Sequence, residues 1–178
     1  MFWKLFGSYL LFFYTDIFGL PAAAVGTMFL ITRFWDSFVD PVVGILADRT
    51  QSRRGKFRPY LLWFAVPFGM AGVLTFTTPG FGMAGKLVYA YITYGVMMMI
   101  YSLINVPYAS LLGVISDNPK SRTALSSYRM IFAFGGSILA LLTIEPLVGW
   151  FSRGSDPQTG WQAATAVLAA IAVAFFFC

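Results

Sequence analysis

The chain has 178 residues, 58% of them hydrophobic and 11% charged, with a formal net charge of +5. So little charge cannot solvate the surface of a soluble domain of this size, so composition alone indicates a polytopic membrane protein. With no histidine and one cysteine, Cys178, an internal disulfide is excluded and Cys/His metal chemistry has no raw material.

A helix needs about 20 apolar residues to cross roughly 30 Å of hydrocarbon. Six spans are expected, over residues 1–14, 22–47, 59–78, 87–112, 124–149 and 162–178. The separators "TDIFGLP", "DRTQSRRGKFR", "TPGFGMAGK", "SDNPKSR" and "SRGSDPQTGW" are short and rich in turn residues, which predicts an all-α antiparallel bundle. The first span is short for a crossing helix, and the last runs apolar to "AFFFC"; both read as truncated. A signal peptide is the other reading of the start, but Asp16 and the Gly-Leu-Pro turn suit an interhelical loop better.

Arg49, Arg53, Arg54, Lys56 and Arg58 follow the second span, and Lys120 and Arg122 follow the fourth, whereas the opposite side offers only Lys86 and Arg153. Such asymmetry places the basic loops in the cytoplasm and accounts for the net positive charge without nucleic acid as a partner. Trp150, Trp161 and Tyr14 stand at span ends, where interfacial aromatics are expected.

The second span holds the main anomaly. In "RFWDSFVDPVVG", Arg33, Asp36 and Asp40 are spaced three and four apart, so a helix projects all three from one face. Gly44 and Ala47 continue that face and suit the close approach of a neighbouring helix. Pro41 has no amide to donate, which frees the carbonyl of Ser37. A charge at mid-membrane costs on the order of 3 kcal/mol, so such residues face an interior path. An ion pair with Arg33 that ties helices together is one reading. Two carboxylates against one guanidinium leave a surplus negative charge, which suits a cation or proton.

The segment "GILADRTQSRRGKFR" adds Asp48, Arg49, Arg53 and Arg54 at the end of that span, read as a latch of ion pairs as well as a topology signal. In the fourth span, Tyr101, Ser102, Asn105 and Tyr108 recur at helical spacing, and Pro107 breaks the ladder. Such a face suits a hydroxyl-rich solute or a hydrogen-bonded helix contact. Arg129 is expected about two turns inside the fifth span. Asp16 and Glu145 read as interfacial. No nucleophile, metal set or phosphate loop points to an enzyme, and no cofactor is expected.

The segments "FFYTDIFGLP", "TMFLITRFWDSFVDPVVGILADRTQSRRGKFRPY", "NVPYASLLG" and "SRTALSSYRM" resemble the glycoside–pentoside–hexuronide:cation symporters, the melibiose permease group of the major facilitator superfamily. The resemblance covers essentially the whole chain. It implies the N-terminal six-helix half of a twelve-helix transporter of a bacterial cytoplasmic membrane, with the C-terminal bundle absent. It implies that Asp36 and Asp40 form the coupling-cation site with Ser102, as ligands to sodium if sodium is the ion. Tyr101, Asn105 and Arg129 would line the sugar pocket, and Arg33 would stand at the pocket and gate.

Three departures accompany it. The family's aspartate on helix one would precede Met1. Asn105 and Ala109 replace an aspartate and a tryptophan of the melibiose permease pattern, which argues against melibiose as the sugar. Val39 replaces a polar residue of its sodium site, which tilts the expected coupling from Na⁺ toward H⁺. The rival readings are a facilitator-fold transporter of lysophospholipid or another amphiphile, and a non-transporting membrane sensor or half-size partner.

Overall fold

The computed structural model describes residues 2–50, 57–115, 118–154 and 156–177. All regular structure among them is helical: α1 (Phe2–Phe12), a π-helical turn (Phe13–Ile17), α2 (Ala22–Arg49), α3 (Arg58–Thr75), α4 (Met83–Ile115), α5 (Pro119–Phe151), a 3₁₀ turn (Ser152–Gly154) and α6 (Pro157–Phe177). By length and hydropathy α4, α5 and α6 qualify as membrane-crossing helices, and the apolar α3 is shorter. Charges dilute the hydropathy of α2, although its 28 residues reach roughly 42 Å at the usual 1.5 Å rise.

Local chemistry sets the helix ends. Gly19 takes a φ of 80° between the π turn and α2, and Pro21 precedes α2 in an extended conformation. Asn118 caps α5, its side-chain oxygen accepting from the Lys120 amide at 3.0 Å, with Pro119 at the first helical position. The α5 helix therefore begins before the apolar run that signals it. Pro41, Pro67, Pro107 and Pro146 all lie inside helices.

In the bundle α3 packs between α4 and α6, α2 lies against α4, and α5 lies against α6 and α1. Lipid tails are as apolar as the helices, so contact quality rather than water exclusion holds such helices together. Small residues permit close contact at two points. A Cβ on Gly69 of α3 would stand 2.8 Å from Val173 of α6. One on Gly160 of α6 would overlap the Ser152 hydroxyl and lie 3.1 Å from the Val148 carbonyl oxygen.

The end of the bundle away from the 49–58 loop is closed by aromatic packing. Phe13 and Phe76 have ring centroids 4.9 Å apart, and Phe76 stacks on Trp161 at 6.1 Å with planes 7° apart. Tyr9 adds a tilted contact with Trp161 at 5.4 Å. Trp161 and Tyr14 are thus core residues, 6% and 1% exposed, and not the interfacial aromatics their positions at span ends suggest; Trp150 is exposed. They turn inward because α6 and the π turn converge on α3 at this end.

Hydrogen bonds close the same end. Lys86 Nζ donates to the Phe18 carbonyl at 3.0 Å and lies 5.1 Å from that residue's ring centroid. Tyr89 donates to the Leu74 carbonyl at 2.8 Å, Thr78 to Gln158 at 2.6 Å, and Gln162 to Thr77 at 3.1 Å. These contacts satisfy carbonyls that helix ends leave orphaned, or tie one turn to the next, which matters where water is scarce. A cation at a helix C-terminus is also favoured by the helix dipole.

Because Gly160 meets backbone as well as a hydroxyl, Gly160→Ala is expected to destabilise the complete protein by about 1–3 kcal/mol. Its midpoint of thermal unfolding in detergent should fall, and an unchanged midpoint would show that the α5–α6 turn yields without cost.

Candidate functional site

The site is built on α2. Asp36 lies 14 residues past Ala22, roughly 21 Å along the helix and thus near its middle. The helix carries Arg33, Asp36 and Asp40 on one side, but α4 covers them unequally: Asp36 is half-buried, whereas Arg33 and Asp40 are exposed. The Oδ1 atom of Asp36 is buried and, among the described residues, accepts no hydrogen bond. Such an oxygen is costly to leave empty, because an unmatched polar atom keeps its full desolvation penalty.

Close packing against α4 produces that burial. A Cβ on Gly44 would sit 3.8 Å from Val106, ordinary contact for a methyl, and Ala47 is 1% exposed. Further along, Thr27 and Tyr91 share a hydrogen bond at 2.9 Å, Tyr91 donates to the Ala24 carbonyl at 3.1 Å, and Phe29 packs on Tyr94. Tyr94, 6% exposed, has its hydroxyl next to Thr32 and within electrostatic reach of Arg33 and Asp36. Sequence reasoning passed over Tyr94 because no charged residue stands near it in α4; its spacing of seven from Tyr101 was the available signal.

From α4, Ser102 is buried at 4% exposure, while Tyr101 and Asn105 are half-buried. Tyr101 is the residue that gathers the site: Arg33, Asp36, Asp40 and Arg129 all lie within electrostatic reach of its hydroxyl. Arg129 enters from α5, ten residues past Pro119 and so roughly 15 Å deep, nearly three turns where two were expected. The Asn118 cap accounts for the extra turn. The Arg129 guanidinium carbon lies 4.4 Å from the ring centroid of Tyr108.

The structure therefore brings Asp36, Asp40, Arg33, Tyr101 and Arg129 into one electrostatic neighbourhood on α2, α4 and α5, with Ser102 and Asn105 on the same α4 segment. Among the described residues no three metal-ligating side chains cluster. Chemically, the arrangement offers two carboxylates to a cation or proton, and guanidinium, amide and hydroxyl groups to a polar solute. Asp48 and Arg49 stand apart at the end of α2, where Asp48 is engaged in a polar contact and Thr50 hydrogen-bonds Tyr60 at 2.7 Å. Arg53 and Arg54, the rest of the expected latch, lie outside the described residues.

Glu145, read as interfacial, accepts a hydrogen bond from Tyr9 at 2.8 Å, joining α1 to α5. Asp16 is bound locally by Thr15 at 2.6 Å.

A family model described as MFS/sugar transport protein matches residues 1–178. The chain belongs to that family. It is a multi-pass integral membrane protein of the major facilitator superfamily. Similar proteins include the inner membrane symporter YicJ of Escherichia coli, 47% identical over 92% of this chain and 35% of its own length. The isoprimeverose transporter of Lactiplantibacillus pentosus is 42% identical over 98% of this chain and 36% of its own length. The chain thus spans about a third of the length of these relatives.

The orphaned carboxylate oxygen yields an expectation for stability. With no cation bound, Asp36→Asn removes a half-buried charge at little change in shape, so the complete protein should gain on the order of 1 kcal/mol. Thermal unfolding in detergent at neutral pH, in sodium-free buffer, reads the gain; a lower midpoint would mean that the charged form of Asp36 is already compensated by its neighbours.

Proposed function

We propose that the chain is part of a sugar:cation symporter of the bacterial inner membrane, in which Asp36 and Asp40 with Ser102 bind the coupling ion. Tyr101, Asn105 and Arg129 bind the sugar, and Arg33 links the two sites. The observation that carries the reading is the buried, unpartnered Oδ1 of Asp36, with Asp40 a turn away on the same helix. An oxygen in that setting is stabilised by a cation or a proton that comes and goes. The names of the symporter and isoprimeverose-transporter relatives support the same reading.

The mechanism is alternating access. Ion binding neutralises the α2 carboxylates, sugar binds beside them, and the bundle moves relative to the rest of the complete transporter about that site. Each ligand raises the affinity for the other, because both act on one charge balance and the coupling is reciprocal. Arg33 supplies part of that link: when the carboxylates are neutralised, its guanidinium is freed to interact with the sugar.

The proposed coupling ion is H⁺. Sodium needs several oxygen ligands, whereas a proton needs one carboxylate, and Val39 contributes no oxygen beside Asp40. The proposal of sugar over amphiphile rests on the polar groups of α2, α4 and α5. The apolar groove of about 630 Å³ lies instead between α3 and α6, lined by Val66, Gly69, Met70 and Val173 among others, and contains none of the site residues.

In the complete protein, Asp36→Asn and Asp40→Asn are each expected to abolish uphill sugar accumulation in energised cells. Full accumulation by both variants would remove the coupling role from α2. Sugar-induced alkalinisation of a lightly buffered suspension should occur without Na⁺, with pentosides, glucosides, galactosides and glucuronides as the panel; uptake that requires Na⁺ without alkalinisation would reverse the assignment of the ion. Val39→Asn, which adds an oxygen at the site, is expected to make uptake at least about twofold stimulated by Na⁺. No response of that variant to Na⁺ would place Val39 outside the ion site.

A further inference from the structure

Arg129 stands roughly 15 Å inside α5 and, among the described residues, makes no ion pair. Its contact is with an aromatic face: the guanidinium carbon is 4.4 Å from the ring centroid of Tyr108, well inside the distance at which a cation is attracted to a ring. Tyr108 is 38% exposed and directly follows Pro107 within α4. Tyr101, Asn105 and Tyr108 recur at four- and three-residue steps, so they share one face of α4. Because Tyr101 also feels Arg33, Asp36, Asp40 and Arg129, the Arg129–Tyr108 pair belongs to the same polar neighbourhood.

A guanidinium is planar. When one face lies on a ring, its donors remain free at the edge, in the plane. The stack satisfies the cation electrostatically without consuming any N–H. Free arginine side chains wander among many rotamers, whereas a stacked one presents its paired donors in a fixed direction. Two parallel N–H groups match two adjacent oxygens, and neighbouring ring hydroxyls of a sugar supply such a pair.

We propose that Tyr108 is a positioning residue for sugar recognition, its ring holding the Arg129 guanidinium flat so that paired N–H donors meet vicinal hydroxyls of one sugar ring. This rests on the reading of the α2–α4–α5 site as a sugar site. The ring, not the phenolic hydroxyl, carries the role, and the residue acts through Arg129.

The test uses the complete transporter and the best-transported member of a panel of isoprimeverose, other pentosides, glucosides, galactosides and glucuronides. Tyr108→Phe keeps the ring and should leave KM within about twofold of the parent, while Tyr108→Leu should raise it about tenfold with the maximal rate kept. Arg129→Ala should raise KM at least as far, and adding Tyr108→Leu to it should change KM by less than about twofold. If Arg129→Ala leaves no measurable uptake, Arg129→Lys, which lacks the planar fork, serves as the second background with the same expectation. A merely structural role would lower protein level and maximal rate instead of KM, and would overturn the proposal. Equal losses in the Phe and Leu variants, or a Leu effect undiminished in the arginine variants, would do the same. An unchanged KM in Arg129→Ala, or no uptake of any panel member by the parent, would overturn the sugar reading beneath it.

Discussion

Charge at mid-membrane is the constraint around which this bundle is arranged. The α2 helix carries Arg33, Asp36 and Asp40 where the hydrocarbon offers neither water nor a strong dielectric, and α4 covers Asp36 more than it covers the other two. If the three side chains closed on one another, the result would be a static salt bridge, expensive to make and inert. Instead, one carboxylate oxygen of Asp36 is left without a donor. An incomplete shell has a free-energy penalty that a small cation or a proton relieves on arrival and restores on departure. Coupling between ligands needs such a penalty, since a site already satisfied has nothing to gain from binding.

The rest of the bundle explains how that penalty is tolerated. The end remote from the basic loop is tied by Phe13, Phe76 and Trp161, and by Lys86, Gln158 and Gln162 across helix ends. Side chains there are committed to each other. In the middle, Arg33, Asp36, Asp40 and Arg129 approach one another without closing into an ion pair among the described residues. A rigid frame around an unsatisfied centre is what a rocking mechanism requires, because motion must be of the bundle as a body while the ligand shell stays preorganised.

The sequence carried the helical architecture and the charged stripe because both depend on short-range pattern. Period and length reveal six helices, and three- and four-residue spacing puts Arg33, Asp36 and Asp40 on one side whatever surrounds them. What depends on neighbouring helices was not legible. The difference between Asp36 and Asp40 arises from the cover that α4 provides, which no spacing within α2 encodes. Lys86 reads as a topology signal until Phe18 is seen to need a donor. The hydrogen bond of Glu145 to Tyr9 comes from another helix, which no spacing within α5 encodes. Apolarity alone starts α5 late and leaves Arg129 too shallow, whereas the Asn118-Pro119 cap, a local signal, starts it earlier.

The α4 face shows how a site can be assembled without any extreme residue. Tyr101, Ser102, Asn105 and Tyr108 are each unremarkable in an apolar helix, and none is charged. Their value comes from position. Tyr101 lies within electrostatic reach of charges on two other helices, Ser102 is buried, and the Tyr108 ring centroid lies 4.4 Å from the guanidinium carbon of Arg129. An uncharged face of α4 placed between an acidic α2 and a basic residue of α5 lets the two signs act on a common ligand without collapsing into a pair. Were an acid to stand at Asn105, it would compete with the Tyr108 ring for the Arg129 guanidinium. The amide keeps hydrogen-bonding capacity while leaving the guanidinium to the ring, so the uncharged α4 face and the contact of Arg129 with Tyr108 are two consequences of one choice of residue.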